Sequence, residues 1–441
     1  MRMIRMILAI TAAFAAGIAG SAEITSVSMT QDASSRLVTV NYTLAGGSAI
    51  VTFALETNGV TVADECLQHA FGAINCKVAA GSHSFQWQPD ADFGGVFLPG
   101  TNVRGIVRAW ELNAPPPYLS IDLTATNTVR FYASAAAVPG GVSNDLYKTD
   151  RLLLRKITTG VEFTMGSAPS EVGSSGYRTS EIPHRVLLTN DYYIGVYELT
   201  RRQYFHVTGV EGTSYSTTTK TVADKKRPIE FDDFNYEKVR GATSATVNWP
   251  STGNAVAATS LLGKLRVLGG VATLDIPTDA QWEFACRAGC ANAFNVGLET
   301  KDDDWNHPVA TNCAWYLVNS ADANEKAVRT DGNYYTPREV GTKLPNAWGL
   351  YDMHGNVGEL CRDWYTTGEE YISTFGSGYQ PGKVVVEPVG CTTNCSQRVV
   401  RGGWTQKFER DLRSARRIGF APNASTWGWA GVRISCGTDF R

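Results

Sequence analysis

Charge and histidine are both scarce in this chain. Charged residues make up 19% of its 441 positions, below the quarter usual for a soluble domain. Lysine and arginine (40) nearly balance aspartate and glutamate (42), so the net charge of −2 offers no basic footprint for a nucleic acid. The histidines His69, His83, His184, His206, His307 and His354 are scattered. Neither Cys286/Cys290 nor Cys391/Cys395 has a histidine or a second cysteine pair at zinc-finger spacing, which argues against a structural zinc site. Serine-hydrolase and phosphate-loop motifs are absent as well. Beyond residue 22 no run is apolar and long enough to span a bilayer.

What is present begins with an export signal. Arg2 and Arg5 precede an alanine-rich apolar run from Ile7 to Ile18, which is too short for a comfortable membrane anchor. Gly20, Ser21 and Ala22 place small residues where a signal peptidase reads. Residues 1–22 are therefore expected to be a cleaved signal peptide, and the mature protein to be secreted, periplasmic or at the cell surface. About 420 residues remain, enough for two or three domains. A hydrophobic fraction of 43% supports real cores, and 43 glycines favour turns and short strands over long helices.

Nine cysteines in an exported chain suggest disulfides. Cys66 and Cys76 flank a short polar stretch and are expected to staple it. Cys391 and Cys395 lie close together in a turn-rich segment and form a second expected pair. Cys286, Cys290, Cys313, Cys361 and Cys436 are an odd remainder, so at least one thiol should be free.

From Glu23 to Leu123 apolar and polar residues alternate in short runs. Arg36–Leu44 and Ala49–Thr57, separated by Ala45-Gly46-Gly47-Ser48, read as an antiparallel hairpin. Ser84–Pro89 and Asn102–Trp110 continue the pattern, so residues 23–123 are expected to form an immunoglobulin- or fibronectin-like β-sandwich. No catalytic constellation is visible in it, and neither His69 nor His83 has an evident carboxylate partner. Residues 124–151 read as a connector, and 152–441 as a second, α+β domain. Two helix starts announce themselves there as capping boxes, Thr200/Gln203 and Thr278/Gln281. The second helix carries Trp282, Ala285 and Cys286 on one face and should stop at Gly289.

Asn346–Trp364 packs turn formers, aromatics and acids most densely. Asp352 and Glu359 offer carboxylate oxygens, and Gly355 can take the backbone angles that turn carbonyls inward. A calcium ion wants six to eight such oxygens. A tight loop whose acids cap a helix or face water would look the same from spacing alone.

Eight segments stand in order along the chain: Phe163–Ser167, Glu181–Val186, Tyr197–Tyr204, Ile276–Ala285, Asn346–Trp364, Val399–Trp404, Leu412–Arg416 and Gly431–Ile434. Together they resemble the successive signatures of the formylglycine-generating enzyme, or sulfatase-modifying factor, family. The resemblance covers about two-thirds of the chain, from Leu152 to Cys436, and implies an α+β domain related to the C-type lectin fold. It also implies calcium, held by the side chains of Asp352 and Glu359 and the carbonyls of Gly355 and Val357. A second family calcium site would fall at Asn312 and the Cys313 carbonyl with ligands near Asp331–Asn333, where the match is poor. A bridge that ties the Trp-Glu helix to the last strand in many members would here be Cys286–Cys436, two residues beyond the family position at Ile434.

The same resemblance implies an oxidase that converts a sulfatase cysteine to formylglycine with oxygen and copper(I). Its paired cysteines follow the Arg-Gly-Gly motif, because soft thiolates select and activate copper(I). The chain has no cysteine between Cys395 and Cys436, so copper is not expected. It also departs inside the loop, with Gly358 and Leu360 where tryptophans are usual. A related iron-dependent branch needs a helical domain and a histidine–glutamate cluster, which are missing. The favoured reading is a binding module for a protein, peptide or glycan, with Trp404, Lys407, Arg410 and Arg413 as a cationic, aromatic-flanked surface. Some of these arginines could instead pair internally. The alternative is the copper-dependent oxidase itself.

Overall fold

The computed structural model describes residues 21–441 except 64–66, 95–102, 127, 169–170, 172–178, 212–224, 231–234, 242–255, 297–307, 322–335, 368–383, 389–395 and 424–428. The chain divides into two compact units. One comprises residues up to Ile121, Val129–Asn144 and Thr438–Arg441; the other comprises Asp122–Thr128 and Asp145–Gly437.

The first unit is all-β in its core. Glu23–Gln31, Val38–Ala45, Gly81–Trp87 and Ala70–Gly72 form one sheet in that order. Ala49–Thr57 is the centre of a second sheet, pairing with Val60–Thr61, Cys76–Val78 and Val103–Trp110. Alternate residues of both sheets meet in one core, with Val40, Tyr42 and Phe85 from the first against Val51, Leu55 and Val107 from the second. The expected hairpin is therefore a correction. Val38–Ala45 pairs with Glu23–Gln31 and Gly81–Trp87, and Ala49–Thr57 lies in the other sheet. Each strand buries one face against the opposite sheet, so the Ala45–Ser48 turn carries the chain across the core instead of folding it back. The expected connector holds ordered structure too: Val129–Tyr132 pairs antiparallel with Tyr118–Asp122, and the turn at Asp145–Lys148 buries Tyr147.

The second unit is α+β. Arg151–Ile157, Tyr192–Gly195 and Ser435–Gly437 form an antiparallel ladder, with Tyr193 opposite Cys436. Ile418–Phe420, Arg398–Arg401, Gly358–Trp364 and Ala430–Gly431 make another sheet in that order. Both anticipated capping boxes are present. Thr200 and Gln203 open the helix Arg201–Thr208, and Thr278 and Gln281 open Asp279–Arg287. The latter stops at Ala288, which takes the left-handed conformation (φ 47°) one residue before Gly289. Its Trp282, Ala285 and Cys286 enter the core with Leu350, Met353, Cys361 and Val399. No described helix is long and apolar enough to cross a membrane.

Candidate functional site

Asn346 ties the signature loop to the helix Asp279–Arg287. Its Nδ2 donates to the carbonyls of Ala285 and Cys286 at the helix end, and its Oδ1 accepts from the N–H groups of Trp348 and Leu350. These are carbonyls a helix terminus leaves without an intrahelical partner. The loop then turns through left-handed Asp352 (φ 57°), Gly355 (φ 78°) and Asn356 (φ 60°). A side chain at Gly355 would sit 2.2 Å from the Trp315 carbonyl oxygen, so only glycine fits. Asn356 is the buried hub. Its backbone N–H donates to Trp315 and its Nδ2 to Glu198 (2.6 Å), while its Oδ1 accepts from Arg338 N–H.

Three buried carboxylates meet this loop. Glu359 lies in the strand Gly358–Trp364 and is held from two sides. Arg433 Nε and Nη2 bind it at 2.5–3.0 Å, and Trp282 Nε1 donates to it at 2.6 Å. Glu198 was not among the residues expected here. It accepts from Val357 N–H (3.1 Å) and from Asn356. Asp352 takes the Gly341 N–H on Oδ2 (2.6 Å), while Oδ1 is buried with no hydrogen-bond partner. Burial, reinforced by Asp352 and Glu359, pushes the Glu198 carboxyl well above its ordinary range. Burial likewise raises Asp352 to about 6.

The loop thus offers a cation one orphaned, buried carboxylate oxygen, Asp352 Oδ1, which fits calcium there, although Arg433, Lys148 and Lys343 already supply positive charge around this carboxylate. At Glu359 the fit fails, because both oxygens already accept from Arg433 or Trp282. Among the described residues no three His, Cys, Asp or Glu side chains are grouped to hold a metal, so an ion here would lean on backbone oxygens. At the second site that the resemblance implies, Asn312 and Cys313 are described and Asp331–Asn333 lie outside the described residues.

Beyond Arg401, Gly402 and Gly403 turn the chain with positive φ (83° and 70°). The arginines that follow point inward. Arg401 pairs with Asp279 and Glu283, and Arg417 with Asp279 (2.8 Å). Arg413, expected on the ligand surface, is wholly buried. It binds Glu171 (2.6 Å), Glu181 (2.8 Å) and Ser167 (2.8 Å). Two acids that the chain must bury need this cation, which corrects its assignment. Trp404 is also only 4% exposed, packed between Trp429 (centroids 5.4 Å apart, 12° between planes) and Lys407 (Nζ 4.3 Å from the ring centroid). Lys407 and Arg410 are half-buried.

The expected Cys286–Cys436 bridge is not formed: both thiols are free and buried. Cys286 faces Ser414 Oγ (3.6 Å) and His354 Nε2 (3.8 Å). Cys436 sits opposite Tyr193 in its ladder, so the two sulfurs have different neighbours. Cys76 is free as well, and Cys66, Cys391 and Cys395 lie outside the described residues. The Cys286–His354 contact is no nucleophile–base pair. His354 Nδ1–H donates to the Leu412 carbonyl (2.7 Å), and Nε2 accepts from Asn295 N–H (3.1 Å). Burial pushes the Cys286 thiol up to about 12 and His354 down to about 4, leaving both neutral.

In the first unit, one pairing had no sequence signal. His69 Nδ1 lies 2.6 Å from Asp92, which also accepts from Trp87 Nε1 (2.7 Å). The partners are 23 residues apart, with no periodicity linking them.

The family model for the sulfatase-modifying factor enzyme 1-like domain matches residues 156–436. A chaperone protein LppX of Paenibacillus barcinonensis is 25% identical over 225 residues, covering 46% of this chain and 74% of that protein. The formylglycine-generating enzyme of Bos taurus is 23% identical over 278 residues, covering 56% of this chain and 67% of the enzyme. Among solved structures, Treponema denticola variable protein 1 aligns with a TM-score of 0.45 at 20% identity, covering 65% of this chain and 95% of that one. With a match over most of its length and the motifs in order, the chain belongs to the sulfatase-modifying factor enzyme 1-like family.

Proposed function

We propose that this is an exported protein whose sulfatase-modifying-factor-like domain holds a protein, peptide or glycan ligand and does not oxidise a sulfatase cysteine. The observation that carries the reading is chemical. Copper(I) oxidation needs accessible thiolates, yet the stretch after Arg401-Gly402-Gly403 contains no cysteine up to Cys436. Cys286, Cys361 and Cys436 are buried, and burial holds each thiol protonated. Arg401, Arg413 and Arg417 are committed to internal carboxylates and serve the scaffold. Lys407, whose Nζ lies 4.3 Å from the centroid of the Trp404 ring stacked on Trp429, and half-buried Arg410 are the cations of this stretch that would meet an anionic or sugar-like ligand. We assign calcium to the signature loop in a structural role, carried by the orphaned Asp352 oxygen.

The test is to incubate purified protein with copper(I), oxygen and a sulfatase-motif cysteine peptide, then weigh the peptide. The expected result is an unchanged mass. Conversion of the cysteine to the aldehyde would establish the alternative, a copper-dependent formylglycine-generating oxidoreductase.

A further inference from the structure

In the first unit, alternate residues of the sheet Glu23–Gln31, Val38–Ala45, Gly81–Trp87 and Ala70–Gly72 enter the core. The residues between them therefore form the sheet's outer face. The pairing register lines these up in three rows across the strands. In the first row Ser26 stands opposite Thr43, and Thr43 opposite Ser82. Their hydroxyls make one chain, with Ser26 Oγ 3.0 Å from Thr43 Oγ1 and Thr43 Oγ1 3.4 Å from Ser82 Oγ. In the second row Asn41 sits between Ser28 and Ser84, and all three are exposed. In the third Thr39 sits between Thr30 and Gln86, and Phe71 closes the row opposite Gln86. Every side chain in the three rows is uncharged. Charge returns at the corner of the sheet, with Glu23 opposite Ala45.

We propose that this face binds an uncharged polysaccharide laid across the strands. A soluble surface ordinarily mixes in about a quarter to a third of charged residues. Edge strands in particular carry them, as a guard against pairing with another sheet. Three rows without charge, the edge strand Glu23–Gln31 included, offer nothing to a nucleic acid or an acidic glycan, which need Lys or Arg. A protein partner fits poorly as well. Interface centres gather aromatics, Met and Arg and are poor in Ser, whereas Ser26, Ser28, Ser82 and Ser84 fill these rows. Hydroxyl and amide groups both donate and accept, so they match sugar hydroxyls whichever way these point. Phe71 is 59% exposed and gives the apolar C–H face of a sugar ring a surface to lie on. Adjacent strands lie about 4.8 Å apart, close to the length of one pyranose unit, so a polymer running along a row meets new polar groups at each sugar. Val40, Tyr42 and Phe85 pack beneath the rows, so the face is held in shape before anything binds.

The test is retention of the full chain on insoluble cellulose, chitin, xylan, mannan and β-1,3-glucan, with pectate as the acidic control. We expect retention on at least one neutral polymer, little on pectate, and no change as salt is raised, because no ion pair is there to be screened. Phe71→Ala and Ser84→Lys should each weaken retention at least about tenfold. Both positions are exposed, so the thermal melt should stay as in wild type. Retention on none of the neutral polymers would overturn the proposal, as would retention on pectate that falls with salt. Retention that both variants leave intact, or that Lys407→Ala abolishes in their place, would put the glycan elsewhere on the molecule and overturn it too. A wild-type dimer in sedimentation that either variant separates would assign the face to a second copy of this protein instead.

Discussion

At the scale of single residues, charge alone misplaces Arg413 and Lys407. In the sequence both belong to one basic stretch and look equally available to a ligand. In the fold Arg413 neutralises Glu181 and Glu171, the latter still pushed up by burial despite that partner. Lys407 lies half-buried over Trp404. Arg413→Ala would leave buried acids without a counter-charge and should cost about 3–5 kcal/mol. Lys407→Ala should stay within about 0.5 kcal/mol. Urea unfolding of both variants checks this, and similar midpoints would refute the distinction. His184 carries a pH prediction. Burial depresses its folded pKa, in spite of the bond to the Ile182 carbonyl (2.8 Å), so the native state prefers it neutral. The unfolded chain takes up the proton at about 6.5. Its stabilising share is complete above that pH and is lost as pH falls through the depressed folded value. Thermal melts should therefore weaken less on acidification below about 6.5 in His184→Gln than in wild type.

Among elements, what was legible followed from local chemistry. The capping boxes at Thr200 and Thr278 could be read because cap and partner are three residues apart, and both form. Removing the cap hydroxyl with Thr278→Ala should cost about 1 kcal/mol in chemical denaturation, and no loss would show that packing alone fixes this helix end. The strands Val38–Ala45 and Ala49–Thr57 were legible as strands, since alternation is local, but their partners were not. A two-sided core rewards a turn that changes sheets as readily as one that makes a hairpin, and nothing in Ala45–Ser48 separates the two. The signature loop shows the same limit. Asp352 and Glu359 stood out by spacing, whereas Glu198, over 150 residues earlier in the chain from Val357, meets them only through tertiary packing (sequence separation 159).

For the whole molecule, the cysteines join the export reading to the chemistry. Export favours disulfides, yet Cys286, Cys313, Cys361 and Cys436 are buried free thiols, each embedded in packing that excludes both reagent and thiolate. Burial pushes the thiols of Cys313 and Cys436 up to about 12, as it does for Cys286. A thiol-reactive reagent needs the thiolate and a path to it, so labelling of these four positions must wait for opening of the fold. Alkylation of the native, non-reduced protein followed by peptide mapping should leave all four unmodified, and the same treatment in denaturant should modify all four. A peptide joining Cys286 to Cys436 would show that the core is cross-linked. Rapid native labelling of Cys286 would instead show that its sulfur reaches solvent beside His354, and would reopen the case for thiol chemistry in this domain.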